Sequence, residues 1–130
     1  MGGYVAVQML RYFKVQSLIL FCPAIYNRQA YQVPFNAEFT KIIRQPKSWQ
    51  DSDAWELLHN FDGQLLTIIG SDDAVIPPEV IQQIQESGGR ARKKELVIVP
   101  HAPHKILPWL SQHPDVEAKI CEKIFEFIKG

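Results

Sequence analysis

The chain has 130 residues, 46 % of them hydrophobic, which is enough for one domain with its own core and too apolar for a disordered or fibrous protein. Its 14 Lys and Arg balance its 14 Asp and Glu, so no net field draws it to nucleic acid or to an anionic membrane. No apolar run reaches the roughly 18–20 residues of a membrane span, and no basic stretch precedes the apolar N-terminus as it would in a signal peptide, so the reading places the protein in the cytoplasm.

The chain opens Met1-Gly2-Gly3 and enters an apolar stretch at once. Gly3 to Phe13 reads as a helix with Val5, Met9, Tyr12 and Phe13 on one face. Ala6, Val7 and Leu10 leave it little polar surface, as in a buried helix. Ser17 to Cys22 is a short continuous apolar run ended by Pro23, which suits a strand covered on both faces of a parallel sheet. Asn27 to Lys47 is rich in Gln, Asn, aromatics and prolines, with a short amphipathic piece at Glu38 to Ile43, and reads as an excursion from the main fold. Ser52 to Leu58 follows as a helix that Ser52 can cap, with Trp55 and Leu58 facing inward.

Two similar units come next. Leu65 to Ile69 is a strand that leaves through Gly70-Ser71-Asp72-Asp73-Ala74-Val75-Ile76-Pro77, and Pro78 to Glu86 is a helix stopped by Gly88-Gly89. The basic run Arg90-Ala91-Arg92-Lys93-Lys94 reads as a solvated connection. Leu96 to Val99 is a strand leaving through Pro100-His101-Ala102-Pro103-His104. Pro114 opens a last helix whose inner face is Val116, Ile120, Ile124, Phe127 and Ile128. Cys22 and Cys121 both lie in apolar surroundings and read as buried, reduced thiols.

Strands alternating with helices imply an α/β fold whose parallel strands end along one edge, where ligands gather in open sheets. Asp73 and His104 each stand just past a strand, one βα unit apart. Neighbouring strands are about 4.8 Å apart, so their loops can join an acid to an imidazole. Such an acid fixes the imidazole tautomer and steadies the imidazolium, which makes two thirds of a nucleophilic triad. The plainer alternative is that Asp73 is a turn residue and His104 a solvated loop residue. His59, His101, His104 and His113 have no metal-ligand spacing, and no glycine-rich phosphate loop is present, so the reading assigns no metal and no cofactor. Tyr26, Tyr31, Phe35, Phe39, Trp49 and Trp55 can line an apolar acyl or aryl pocket or serve as core.

The loop Gly70 to Pro77 resembles the acid loop of the α/β-hydrolase family, Gly-x-x-Asp-x-Val-x-Pro. The resemblance implies Asp73, not Asp72, as the acid and His104 as the base, with His101 as the competing position. Met1-Gly2-Gly3 before a helix resembles the end of the family's nucleophile elbow, Gly-x-Ser-Met-Gly-Gly. On that resemblance the nucleophilic serine stands just before Met1, and the Met1 N–H is an oxyanion-hole donor. Both glycines are then expected to avoid clashes at the turn. The resemblance implies three parallel strands with flanking helices, the C-terminal half of an α/β-hydrolase fold. Residues 1–130 form one partial domain, with a short cap-like insertion at 27–60. Tyr26, Phe35 and Val75 are the expected substrate contacts, and the substrate a small-molecule ester or acyl compound such as a thioester. None of Ser17, Ser48, Ser52, Ser71, Ser87 and Ser111 sits in an elbow, so the chain is expected to be inactive alone. The alternative is a non-catalytic module or half-enzyme that meets a second copy or a partner chain at the open edge of Ser17–Cys22.

Overall fold

The structure is a computed structural model that describes residues 1–130. Three parallel strands, β1 (Ser17–Phe21), β2 (Gln64–Gly70) and β3 (Lys93–Val99), lie in the order β1-β2-β3. Leu18 pairs with Leu65, and Leu65 with Lys94. Six helices accompany them: α1 (Gly2–Gln8), α2 (Ala37–Ile43), α3 (Ala54–His59), α4 (Pro78–Ser87), α5 (Ile106–Ser111) and α6 (Pro114–Lys129).

Alternation along the strands divides the core. Leu18, Leu20 and Leu65 face Val7 of α1, Ala54 and Leu58 of α3, and Val80, Ile81 and Ile84 of α4. Leu66, Ile68 and Val99 face Ile106 and Leu110 of α5 and Ile120 and Phe127 of α6. The result is a three-layer sandwich around β2, which is buried along nearly its whole length, as the central strand of a covered parallel sheet must be. Polar ties fix the layers. Gln64 accepts from Ser17 Oγ (2.6 Å) and donates to the Phe127 carbonyl at the end of α6 (3.1 Å). Buried Gln8 donates to Asp53 (2.8 Å), and Arg11 pairs with the same carboxylate, which holds α1 to the start of α3. Between β1 and α3, residues 27–51 form two short 3-10 turns and α2 around a small cluster of Ala30, Phe39 and Ile42.

Several sequence expectations are corrected. The first helix ends at Gln8 and continues as a 3-10 turn over Met9–Arg11, and it buries only Tyr4, Val7 and Gln8. Val5 is 45 % exposed, Tyr12 59 % and Phe13 64 %, so its apolar far side lies in solvent. β3 begins three residues before Leu96, so Lys93 and Lys94 are strand residues, not part of a connection. The charges are tolerated because β3 is an edge strand with one open face. Lys93 lies over the Phe127 ring, 4.6 Å from its centroid, and Glu95 pairs with Lys123. α5 was not anticipated, because Pro108 interrupts its helical pattern. Ile128 is half-exposed and Cys121 exposed, each falling one position beyond the buried residues Phe127 and Ile120 of α6. Ser52 does accept a hydrogen bond from Ala54 N (3.2 Å), but the helix it precedes starts at Ala54. No helix is long and apolar enough to cross a membrane.

Candidate active site

The C-terminal ends of β2 and β3 carry the site. Gly70 closes β2 against the loop after β3: a Cβ there would lie 2.1 Å from the Ala102 carbonyl oxygen and 2.9 Å from that of Pro103. Only glycine allows that approach, and the loops are laced across it. Ser71 N donates to Val99 O (3.0 Å), Asp72 N to Ala102 O (3.0 Å), and His101 N to Ser71 Oγ (2.8 Å). His101 adopts a left-handed φ of 67° that turns the chain back toward the acid loop.

This lacing brings Asp73 and His104 into contact. His104 Nδ1 lies 2.9 Å from Asp73 Oδ2, while Asp73 Oδ1 accepts from Val75 N (2.8 Å) and Ile76 N (3.0 Å). The Asp73 side chain is 7 % exposed and that of His104 31 %. Burial alone would raise the Asp73 pKa, but the hydrogen bonds from His104, Ile76 and Val75 outweigh it and hold the carboxyl below its usual range. The carboxylate favours the His104 tautomer that carries its proton on Nδ1, which leaves Nε2 as the ring nitrogen with a free lone pair. Asp72 is exposed and its side chain takes no part. His101 contributes its backbone, and its ring is not bonded to Asp73. Ser71 serves as the acceptor that ties the two loops together.

Cys22 joins this pair. Its Sγ, an Asp73 carboxylate oxygen and a His104 ring nitrogen lie within 4.8 Å of one another. Burial, with the Asp73 charge alongside and in spite of a hydrogen bond from the Gly70 backbone, pushes the thiol from an ordinary 9.0 up to about 11. Cys22 directly follows β1 and so ends on the same edge as the dyad. That position was visible in the sequence, though its contact with Asp73 was not.

The other expected residues fall around two cavities. Val75, 63 % exposed, lines one of about 310 Å³ together with Ile76, Arg44 and Trp49. Phe35, 75 % exposed, lines another of about 280 Å³ together with Met1, Tyr4, Tyr31 and Phe39. Tyr26 lines both, edge-on to Tyr4 (5.3 Å) and Phe39 (6.3 Å). The structure thus spreads the three residues over two adjoining cavities that meet at Tyr26. Met1 stands at the head of α1, its carbonyl accepting from Val5 N (3.2 Å), and is not hydrogen-bonded to the dyad. Of the two glycines, Gly3 is required: a Cβ there would meet Pro23 Cβ at 2.7 Å, whereas one on Gly2 would meet nothing within 4 Å. The clash expected at Gly2 is therefore absent.

No protein-family model matches the sequence, and no curated protein matches it. Solved structures do. MGS-MChE2, an α/β-hydrolase enzyme from the metagenome of lagoon sediments of Mar Chica, Morocco, superposes on 96 % of the chain with a TM-score of 0.62 and 19 % identity. The fold is that of the α/β-hydrolases. A thermophilic esterase from Thermogutta terrifontis matches 97 % of the chain (TM-score 0.61, 20 % identity). The Pyrococcus furiosus esterase Pf2001 matches 95 % (TM-score 0.60, 19 % identity). The chain spans 57 %, 62 % and 49 % of the lengths of these three structures, so it carries part of an α/β-hydrolase fold.

Proposed function

We propose that the chain is the acid- and base-bearing C-terminal part of a serine hydrolase acting on small carboxylic esters or thioesters. The observation that carries this reading is the hydrogen bond between His104 Nδ1 and Asp73 Oδ2 (2.9 Å) at adjacent strand ends, with the other carboxylate oxygen fixed by two amides. In the reaction, Nε2 of His104 takes the proton of a serine as its oxygen attacks the ester carbonyl, and then delivers it to the leaving group. Asp73 stays ionised and steadies the imidazolium. The serine belongs to a segment ahead of Met1, so the chain alone lacks the nucleophile. Met1 N–H is the oxyanion donor, a contribution worth roughly 3 kcal/mol to the transition state. Residues 27–60 act as the cap, and Tyr26, Phe35 and Val75 meet the acyl or alcohol part.

One feature supports a missing segment: β1 ends the sheet and pairs with β2 alone, so its outer edge is unpaired. That edge also supports a second reading, in which this chain works as an interaction module that pairs there with a second copy or a partner chain.

The test is fluorophosphonate labelling. The purified chain is expected to take up no label and hydrolyse no ester. A longer protein carrying the upstream segment is expected to label at one serine and to lose roughly 10⁴-fold in kcat on Asp73→Asn. Labelling of the 130-residue chain at a defined serine, or full activity of the longer protein without Asp73, would overturn the reading.

A further inference from the structure

The geometry points to a metal site made by Cys22, Asp73 and His104, fitted to zinc or a similar borderline-soft divalent cation. Each residue offers one donor atom, and the three atoms lie within 4.8 Å of one another. Tetrahedral zinc, with bonds of about 2.0–2.3 Å to N, O and S, spaces its ligands roughly 3.4–3.6 Å apart. The donors therefore need move only about an ångström to close on one ion. A thiolate, an imidazole and a carboxylate together select this class of cation over magnesium or calcium, which take oxygen ligands.

Support around the donors is already built. Asp73 Oδ1 is held by Val75 N and Ile76 N, which leaves Oδ2 as the ligand and fixes its direction. Cys22 holds a left-handed φ of 43°, unusual for a residue with a side chain, and its N–H donates to Ile68 O (2.9 Å). That pinned backbone presents Sγ at the edge where the loops of β2 and β3 meet. His104, at 31 % side-chain exposure, is the open side through which an ion and a fourth ligand, water, reach the site.

Protons and charge balance. The Cys22 thiol releases its proton to solvent, and His104 binds through Nδ1 as the neutral tautomer, its proton now on Nε2. One proton leaves per ion, and thiolate plus carboxylate cancel the two positive charges. Coordination uses both atoms of the Asp73–His104 hydrogen bond and leaves Nε2 protonated. A bound ion and general-base action by His104 then exclude each other. That consequence rests on the hydrolase reading, whereas the site itself does not.

Cobalt(II) is the probe. Cys121→Ser leaves Cys22 as the sole thiol, since the chain has two cysteines. This protein is expected to bind one equivalent of Co²⁺, with a thiolate-to-cobalt charge-transfer band and visible bands of tetrahedral intensity that zinc abolishes by displacement. Cys22→Ser should remove the charge-transfer band. His104→Ala, or Asp73→Asn where the alanine variant fails to fold by circular dichroism, should weaken binding at least about tenfold. His101→Ala should leave binding unchanged. Absence of the band in folded protein at millimolar Co²⁺, or a band that persists in Cys22→Ser or binds as tightly in His104→Ala, would overturn the proposal. The experiment needs no nucleophile. Failure here leaves the hydrolase reading standing, and an inactive longer protein leaves the metal site standing.

Discussion

Gly70→Ala tests the idea that the dyad is assembled by the close fit of two loops. The added Cβ would stand 2.1 Å from Ala102 O and 2.6 Å from Ala102 C, both backbone atoms that cannot rotate away. Opening the contact to about 3.3 Å requires the loops to part by about 1.2 Å. Asp72 N and Ala102 O, now 3.0 Å apart, then pass beyond hydrogen-bond range. Overpacking of this kind costs about 1–3 kcal/mol and the lost hydrogen bond about 1 kcal/mol, giving about 2–4 kcal/mol in all. With an m-value of about 2 kcal/mol/M, the urea midpoint should fall by about 1–2 M. The low-field Nδ1 proton of His104 should shift or broaden in the same variant, because the bond to Asp73 depends on the same loop spacing. Gly89→Ala is the control: its Cβ would meet only Glu86 O at 3.8 Å, and its midpoint should hardly change. A Gly70→Ala protein with the midpoint of the parent and an unchanged Nδ1 resonance would refute the argument.

The two N-terminal glycines should separate in the same denaturation assay. Gly3→Ala forces α1 off Pro23 and is expected to cost about 1–3 kcal/mol, while Gly2→Ala, with open space around it, should fall within about 0.5 kcal/mol of the parent; equal losses would contradict the packing described. Stability should also decline at both ends of the pH scale. The lowered Asp73 pKa contributes stability that is complete above the unfolded value of about 3.9 and is lost as pH falls through the folded one, so the gap between the parent and Asp73→Asn should close in acid. Burial raises Cys22 to about 11 and Tyr4 from 10.0 to about 12, so their contribution is complete below their unfolded values and is lost as pH rises through 11 and 12. A flat urea midpoint between pH 9 and 12 would contradict the burial of both groups.

Much of the fold was legible because each strand holds a compact apolar run with its own stop: Pro23 after β1, Gly70 at the end of β2, Pro100 after β3. The dyad was legible because a residue just past a parallel strand has only one edge to occupy. What escaped depends on neighbours that a single stretch of sequence does not encode. The start of β3 carries two lysines and a glutamate, and they sit in a strand because Phe127, Gln85 and Lys123 receive them. The exposure of Tyr12 and Phe13 follows from a change of helix type at Met9 that apolar content does not reveal. Cys22 read as a core thiol, and it is buried, yet its contact with Asp73 depends on the register that aligns the end of β1 with Ile68. The expected substrate contacts were chosen by residue type, and the excursion distributes them over two cavities because Tyr26 stands between.

The lacing of the acid and base loops has a consequence for how such a site comes into being. Asp73 and His104 are 31 residues apart, and the glycine contact and all three loop-to-loop hydrogen bonds lie between Gly70 and His104. One strand-helix-strand unit, residues 64–104, therefore contains everything that sets the distance between carboxylate and imidazole. The acid–imidazole pair is thus contained in one stretch of chain, yet its contacts join residues about 30 apart across parallel strands, the non-local kind of pairing that forms slowly in folding. On the proposed function, that geometry serves whatever nucleophile is set beside it and does not have to be rebuilt when the surrounding segments change.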